Sequence, residues 1–344
     1  MGIAGSNDGR LAESEGLEPD VDACQSGFGF DLAPEASYRS VTNSSIIGRP
    51  LPNGDNYANC KMLPRFLLTL FLVLVGFLEP VMAGNGPLRF GVTPAILHDQ
   101  YMTMAAFRQY LERKTGRVVQ MVPRNRYGEM LDLVKHREVE FAWVSAAPYV
   151  YARRFFRAQL VAVPIMNGQP SFRAYLIVPA EDRVTGGLLQ LEGRIFAYAD
   201  PYSCTGFVVP RYELKAAGRD PGSFFGRTFF TFGHKKSIRA VASHLADAAY
   251  VDSLVWDALS SLEPELTAAT RIVARSREFG APPIVATDNV GRADVAAVRR
   301  ALLDMAGDAE GMRVLKLLRM DGFAAGDPKA YAEVERMMRE TGDL

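Results

Sequence analysis

Short apolar runs alternate with amphipathic segments along the chain from Leu88 onward. Three of these runs have the length and composition of β-strands, and each is followed by a segment whose apolar residues recur at helical spacing. The predicted strands are residues 88–92, 118–122 and 139–144, and the predicted helices are residues 99–114, the segment containing Tyr127, Met130, Leu131 and Val134, and the segment after Ser145. This βαβαβα order predicts a mostly parallel sheet with helices on both faces.

A second unit with the same alternation begins near Pro179. Its predicted strands are residues 194–199, 228–232 and 248–251, and its predicted helices are residues 203–217 and 236–246. Two more strand-like runs, residues 270–274 and 283–286, are followed only by helical segments. The order predicts an α/β protein with two lobes, in which residues 179–274 are inserted between residues 84–178 and 275–344 of the first lobe. Ligands of such sheets bind beyond the carboxyl ends of the strands, so we expect a binding cleft between the lobes.

The first part of the chain has a different pattern. Residues 1–61 show no sustained period, which predicts a disordered extension or one that results from a start codon assigned too early. Residues 62–83 combine nearby basic residues, an apolar run over residues 66–78 and small residues before Gly84, as a cleavable secretory signal does. We therefore expect translation from Met62, export to the periplasm and a mature chain from Gly84. The alternative is a signal anchor that leaves the first segment in the cytoplasm.

Composition narrows the class of protein. The chain has 344 residues, which is long enough for two globular lobes, and 48% of them are apolar and 23% charged. Its 39 basic and 39 acidic residues balance, but only five of the basic and ten of the acidic ones precede Gly84, so the mature region is mildly positive. Of the three cysteines only Cys204 lies in that region, which excludes an internal disulfide there. Basic patches with interleaved aromatic residues are missing, which argues against a nucleic-acid partner.

The segment most suggestive of chemistry is the turn at residues 200–206, between a predicted strand and a predicted helix. A turn rich in small hydroxylated residues at a helix start collects backbone N–H groups at the positive end of the helix dipole, where an anion can bind. Thr93, Ser145 and His234 follow other predicted strands and offer further hydrogen-bond donors. Tetrahedral oxyanions need such donors because each oxygen accepts several hydrogen bonds.

Each of these residues also has a purely structural interpretation. Ser203 and Thr205 can act as helix caps, each contributing about 1 kcal/mol to helix stability. His234 can be a buried histidine bonded to a neighbouring carbonyl. Cys204 can be a small packed residue, although a helix start would lower the pKa of its thiol.

Several stretches together resemble a known family. They are residues 200–210, residues 231–234, residues 248–253, residues 88–94 and residues 141–143. In this order and spacing they are similar to the phosphonate-binding (PhnD-type) substrate-binding proteins of phosphate, phosphite and phosphonate ABC importers. The resemblance extends over essentially all of residues 84–344.

The resemblance implies a type II periplasmic binding protein that closes its two lobes on a ligand without a cofactor or metal. The positions that match the family's ligand-binding residues are Tyr127, Phe172, Ser203, Cys204, Thr205, Gly206 and His234. Where members hold an amine with two carboxylates, this chain has Leu254 and Ala281, while the nearby Asp252 could replace one of them. We therefore expect phosphite, phosphate or a simple alkylphosphonate as the ligand, a monomeric protein, and an ABC permease and ATPase as partners.

Two other classes of function stay open. A sensory binding protein would present a bound oxyanion to a histidine kinase, and arsenite is conceivable there because Cys204 supplies a sulfur. A hydrolase that uses Ser203 or Cys204 with His234 is disfavoured, because the sequence has no Gly-x-Ser-x-Gly elbow, metal-ligand cluster or Walker loop.

Overall fold

The structure is a computed structural model that describes residues 86–93 and 101–344. The predicted N-terminal extension, the predicted signal peptide and the first residues of the predicted helix 99–114 lie outside the described residues. The strands are β1 (Leu88–Val92), β2 (Val119–Pro123), β3 (Phe141–Trp143), β4 (Gln159–Ile165), β5 (Ser171–Phe172), β6 (Ala174–Pro179), β7 (Ile195–Tyr198), β8 (Arg227–Phe230), β9 (Ala248–Asp252), β10 (Thr270–Arg275), β11 (Phe279–Gly280), β12 (Ile284–Ala286) and β13 (Gly322–Ala324). The α-helices are α1 (Tyr101–Thr115), α2 (Tyr127–Lys135), α3 (Ala146–Phe156), α4 (Val209–Ala216), α5 (His234–Ala242), α6 (Ser253–Leu262), α7 (Pro264–Ala268), α8 (Arg292–Leu303), α9 (Ala309–Leu318) and α10 (Ala332–Thr341).

Two sheets form the centres of the two lobes. The first lobe has a six-stranded sheet in the order β13-β4-β12-β3-β1-β2, and the second has a five-stranded sheet in the order β10-β6-β9-β7-β8. The first sheet is covered by a core that includes Phe90, Phe107 and Trp143. The second sheet carries a core around Ile177, Ile238 and Val251. The two-lobe α/β architecture predicted from the sequence is therefore confirmed.

The expected predominance of parallel pairing is wrong. Parallel pairs are limited to β1 with β2 and β3, and to β7 with β8 and β9, while the other pairs of both sheets are antiparallel. The reason is the insertion itself: β6 enters the second sheet, and β12 re-enters the first, from the side where the lobes meet. Each must run against the parallel strands beside it, which point their carboxyl ends toward that side.

The chain crosses from the first lobe to the second slightly before the expected boundary at Pro179. Strand β6 already belongs to the second sheet from Ala174, and Pro179 pairs with Thr270 inside that sheet. The chain leaves the second sheet after β10, which ends at Arg275. Between the sheets, the outgoing strand β5 pairs with the returning strand β11 as a short antiparallel ribbon.

The predicted helix after Ser203 contains two helical forms. Residues Cys204–Val208 form a π-helical turn, and α4 begins at Val209. Pro210 therefore lies in the first turn of α4, directly after the π-helical turn. Among the described residues, no helix is both long and apolar enough to cross a membrane.

Candidate functional site

The turn at residues 200–206 leaves β7 and folds back on it. The Ser203 amide donates to the Asp200 carbonyl oxygen (2.9 Å), and the Gly206 amide donates to Ser203 Oγ (3.0 Å). Ser203 therefore does cap the helix start, as its structural interpretation predicts. The π-helical turn that follows is wider than an α-helical one, a deviation common at functional sites.

Gly206 is required by close packing. A Cβ atom there would lie 2.4 Å from Ala199 Cβ and 3.2 Å from the Ala199 backbone nitrogen. The Ala199 amide also donates to the Gly206 carbonyl oxygen (3.2 Å). The turn is thus held tightly to the end of the strand that precedes it.

Cys204 and Thr205 are buried in this turn, with exposures of 0% and 1%. Burial, and then the negative charge of Asp252, raise the pKa of the Cys204 thiol above its ordinary value. The lowering expected at a helix start is therefore wrong, because desolvation of the thiolate outweighs the helix dipole. Cys204 is a protonated, packed side chain in the hydrophobic core.

His234 is the first residue of α5 and is nearly fully buried. Its Nδ1 accepts a hydrogen bond from the Asp252 amide (3.2 Å), so the ring proton is on Nε2, which lies 3.4 Å from Ser203 Oγ. Phe232, two residues before His234, has a φ of 55°, an uncommon conformation for a bulky residue. The loop therefore accepts backbone strain where it directs His234 toward the turn.

Asp252 is at the end of β9 and caps α6 through the Leu254 amide, which donates to Oδ1 (2.8 Å). The residue is 2% exposed. Burial raises the pKa of this carboxyl to about 7, although hydrogen bonds from the Leu254 and Val255 amides oppose the shift. Asp252 can thus either accept or donate a hydrogen bond near neutral pH.

Tyr127 comes to this group from the first lobe. It begins α2 after β2, and its amide donates to Asp200 Oδ2 in the second lobe (3.2 Å). Burial, followed by the charges of Asp252 and Asp200, raises the pKa of the Tyr127 phenol well above its ordinary value. The Tyr127 backbone therefore joins the first lobe to the turn at residues 200–206. In that turn Ser203 faces His234, whose ring accepts from the Asp252 amide.

Thr93 and Ser145 lie at the edge of the first sheet where β1 and β3 end. The Thr93 hydroxyl donates to the Trp143 carbonyl oxygen (3.2 Å), which ties these neighbouring strand ends together. Both residues are 3% exposed, and the Ser145 hydroxyl does not cap α3. Their contact with a ligand stays a prediction.

Phe172 lies in the ribbon between the sheets. Its ring packs edge-on against Phe279, with centroids 6.1 Å apart, and it is 2% exposed. Phe172 is therefore buried because it packs against Phe279 within the ribbon. Its expected role as a wall of the ligand site stays a prediction.

Asp200 was part of the predicted turn, but sequence reasoning gave it no role. Its carboxylate, in a residue that is 3% exposed, accepts from the Tyr202 amide through Oδ1 (2.8 Å) and from the Tyr127 amide through Oδ2 (3.2 Å). The sequence carries no signal for the second bond, because its donor is 73 residues away in the other lobe.

The two-lobe α/β fold is that of type II periplasmic binding proteins. The structure resembles PhnD1 of Prochlorococcus marinus, solved with methylphosphonate, with a TM-score of 0.68, 18% identity, and coverage of 75% of this chain and 98% of that one. It is equally similar to a binding protein of an ABC phosphonate transporter from Pseudomonas aeruginosa, with a TM-score of 0.68, 20% identity, and coverage of 75% and 87%. At these identities the likeness establishes the fold alone.

The family is established by sequence. Residues 90–331 match the family model of the ABC transporter phosphonate periplasmic substrate-binding proteins, and the chain belongs to this family. It is also 24% identical over 286 residues to the phosphonates-binding periplasmic protein of Escherichia coli K12, covering 81% of this chain and 84% of the relative. These proteins are solute-binding components of transporters and not enzymes, which agrees with the expectation that this chain has no catalytic role.

Proposed function

We propose that this protein binds a small phosphorus oxyanion, namely phosphite, phosphate or a simple alkylphosphonate, and delivers it to an ABC permease and its ATPase. The observation that carries the proposal is the hydrogen bond from the Tyr127 amide of the first lobe to Asp200, in the turn of the second lobe whose Ser203 Oγ lies 3.4 Å from His234 Nε2. A ligand bound there would contact both lobes, as a protein that closes on its solute requires.

The chemistry of the group suits an oxyanion. The Nε2–H of His234 and the hydroxyls of Ser203 and Thr205 are donors, and the phenol of Tyr127 is kept protonated by its raised pKa. Because the pKa of Asp252 is raised to about 7, its carboxyl can donate to an ionised ligand oxygen when protonated and accept from a protonated ligand oxygen when ionised. Phosphite, phosphate and alkylphosphonates carry both kinds of oxygen near neutral pH.

Two residues argue against a required amine on the ligand. Leu254 and Ala281 stand at the positions where the resemblance places amine-binding carboxylates. Ala281 is 1% exposed, and its carbonyl oxygen accepts from the Tyr331 hydroxyl (2.6 Å). Asp252 alone remains, so an aminoalkylphosphonate would find at most one of the two expected carboxylates.

The family membership and the pattern of residues 62–83 together support a periplasmic location. We further propose that the protein acts as a monomer. The burial of Cys204 weighs against arsenite as the ligand of a sensory alternative, because the thiol is enclosed in the core.

Calorimetry on the purified protein with phosphite, phosphate, methylphosphonate and aminoethylphosphonate tests the proposal. We expect one of the first three to bind, and aminoethylphosphonate to bind no more tightly than methylphosphonate. Failure of all four to bind would overturn the proposed ligand class. Binding of aminoethylphosphonate alone would overturn the argument from Leu254 and Ala281.

Variants then test the site itself. Thr205→Val and His234→Ala should each weaken binding by about 1–3 kcal/mol, because each removes a donor to a buried anion. Thr228→Val and His244→Gln change the same residue types at exposed positions of the second lobe and should bind as the wild type does. Normal binding by both site variants would contradict the assignment of these residues.

A further inference from the structure

We infer that Asp200 is a positioning residue that couples closure of the lobes to the ligand site. This inference rests on the proposed function, since it takes Tyr127 and the turn at residues 200–206 as parts of the binding site. Asp200 itself need not touch the ligand. Its carboxylate joins the backbone of one ligand-binding element to the backbone of the other.

The geometry of the carboxylate carries the inference. Oδ1 accepts from the Tyr202 amide within the turn, and the Asp200 carbonyl oxygen accepts from the Ser203 amide. Oδ2 accepts from the Tyr127 amide of the first lobe. The Tyr127 N–H is in the first turn of α2, where a helix amide has no partner within its own helix. The Tyr127 amide therefore has no hydrogen-bond acceptor within its own helix, and Asp200 of the second lobe supplies one.

Three further contacts beside Asp200 join the two lobes. The Tyr202 ring packs over Gly128, whose hypothetical Cβ would lie 3.0 Å from Tyr202 Cε2, and it also meets the Tyr151 ring with centroids 6.2 Å apart. On the other side the Arg126 guanidinium lies 4.2 Å from the centre of the Phe232 ring. The start of α2 is thus held by the turn at residues 200–206 and by the residue two positions before His234.

This arrangement has a consequence for binding. Opening the lobes must break the bond between Asp200 and the Tyr127 amide, whereas the bond within the turn can persist. Asp200 should therefore slow ligand release more than it speeds ligand capture, because contacts formed on closure act mainly on the dissociation rate.

Hydrogen exchange of the Tyr127 amide tests the contact without a ligand. In Asp200→Ala we expect this amide to exchange at least about tenfold faster than in the wild type, while the Leu133 amide within α2 is unchanged. Asp220→Ala is the matched control, because Asp220 holds a turn wholly within the second lobe through the Gly222 amide and the Ser223 hydroxyl. Unchanged exchange of the Tyr127 amide in Asp200→Ala would overturn the inference.

Ligand kinetics complete the test, with methylphosphonate and inorganic phosphate as probes. Asp200→Ala should release a bound probe about tenfold faster, the loss expected for a hydrogen bond to a charged group, with an association rate within about threefold of the wild type. Asp200→Asn keeps one acceptor oxygen and should be intermediate, and it also serves if the alanine variant does not fold. Equal release rates in wild type and variants would overturn the coupling.

The two proposals can fail separately. If the wild type binds none of the four compounds tested by calorimetry but Tyr127 protection depends on Asp200, the interlobe contact stands and the proposed ligand class is rejected. If the probes bind and Tyr127 protection is independent of Asp200, the proposed function stands and the positioning role is rejected.

Discussion

At the scale of single residues, the site is built from buried polar side chains that already have partners within the protein. Ser203 Oγ accepts from the Gly206 amide while facing His234 Nε2. His234 Nδ1 accepts from the Asp252 amide, which orients the ring. Each structural bond therefore also fixes the direction of a group that a ligand could use, so the structural and functional interpretations of these residues are compatible.

Asp252 provides a prediction on pH and stability. Its pKa is raised from 3.8 to about 7 on folding, so the unfolded chain loses this proton at lower pH than the folded protein does. The stabilising contribution of the neutral carboxyl is complete below about pH 4 and is lost as pH rises toward and through about 7. Tyr127, Cys204 and Asp257 interact electrostatically with this carboxyl, and none of them supplies a positive charge.

We therefore expect Asp252→Asn to raise the melting temperature of the ligand-free protein at pH 8 relative to the wild type, and to have little effect at pH 4. Thermal unfolding across this range measures the difference. Asp257→Asn, which changes a half-buried carboxyl nearby, is the comparison. A difference between wild type and Asp252→Asn that stays constant across the range would contradict the assigned pKa shift.

At the scale of elements, the residue that best stabilises the start of α2 differs from the residue that best allows the lobes to close. Gly128 is the second residue of this helix, a position where glycine weakens a helix relative to alanine. The nearest neighbour of its hypothetical Cβ is the Tyr202 ring of the other lobe, at 3.0 Å. Glycine here thus serves the contact between lobes and not the helix itself.

Gly128→Ala should therefore separate stability from binding. We expect an unchanged or slightly higher melting temperature of the ligand-free protein, because alanine favours the helix, together with faster release of the bound anion, because the methyl group displaces Tyr202 in the closed form. Thermal shift and stopped-flow release measure the two effects. Gly187→Ala, in the second lobe with open space around its hypothetical Cβ, is the control. Wild-type release rates in Gly128→Ala would contradict this account.

At the scale of the whole molecule, the lobes are joined by more than the ribbon of β5 and β11. Helix α10 carries Glu335, which pairs with Arg153 of the first lobe (2.6 Å), while Asp343 just beyond it pairs with Arg211 of the second (2.6 Å). The C-terminal helix therefore spans both lobes on one side and the ribbon links them between the sheets. Besides α10 and the ribbon, the hydrogen bond between Asp200 and the Tyr127 amide is a third connection between the lobes.

The proposed export gives a prediction for the whole chain. If residues 62–83 are a signal peptide, the protein recovered from the periplasm should begin at Gly84, which N-terminal sequencing or intact-mass measurement determines. Replacing Leu72 and Leu74 of the apolar run by Arg should block export, whereas deleting residues 2–61 should leave it intact. A recovered protein that retains residues before Met62 would contradict cleavage at this site.

The sequence by itself determined the two-lobe fold, the family and most of the turn at residues 200–206. These follow from local information: the alternation of strands and helices, a turn composition that suits a helix start, and motifs in a characteristic order. It also predicted His234 as a donor that follows a predicted strand, whereas Tyr127 was predicted only through the resemblance to relatives.

Tertiary structure alone decided what depends on distance in space. The mixed direction of the sheets follows from where β6 and β12 enter, which strand periodicity does not encode. The burial that raises the pKa values of Cys204 and Asp252, and the bond from Asp200 to Tyr127, arise only when segments far apart in sequence pack together. Desolvation and hydrogen bonding between lobes are properties of the folded arrangement, and no local pattern of residues specifies them.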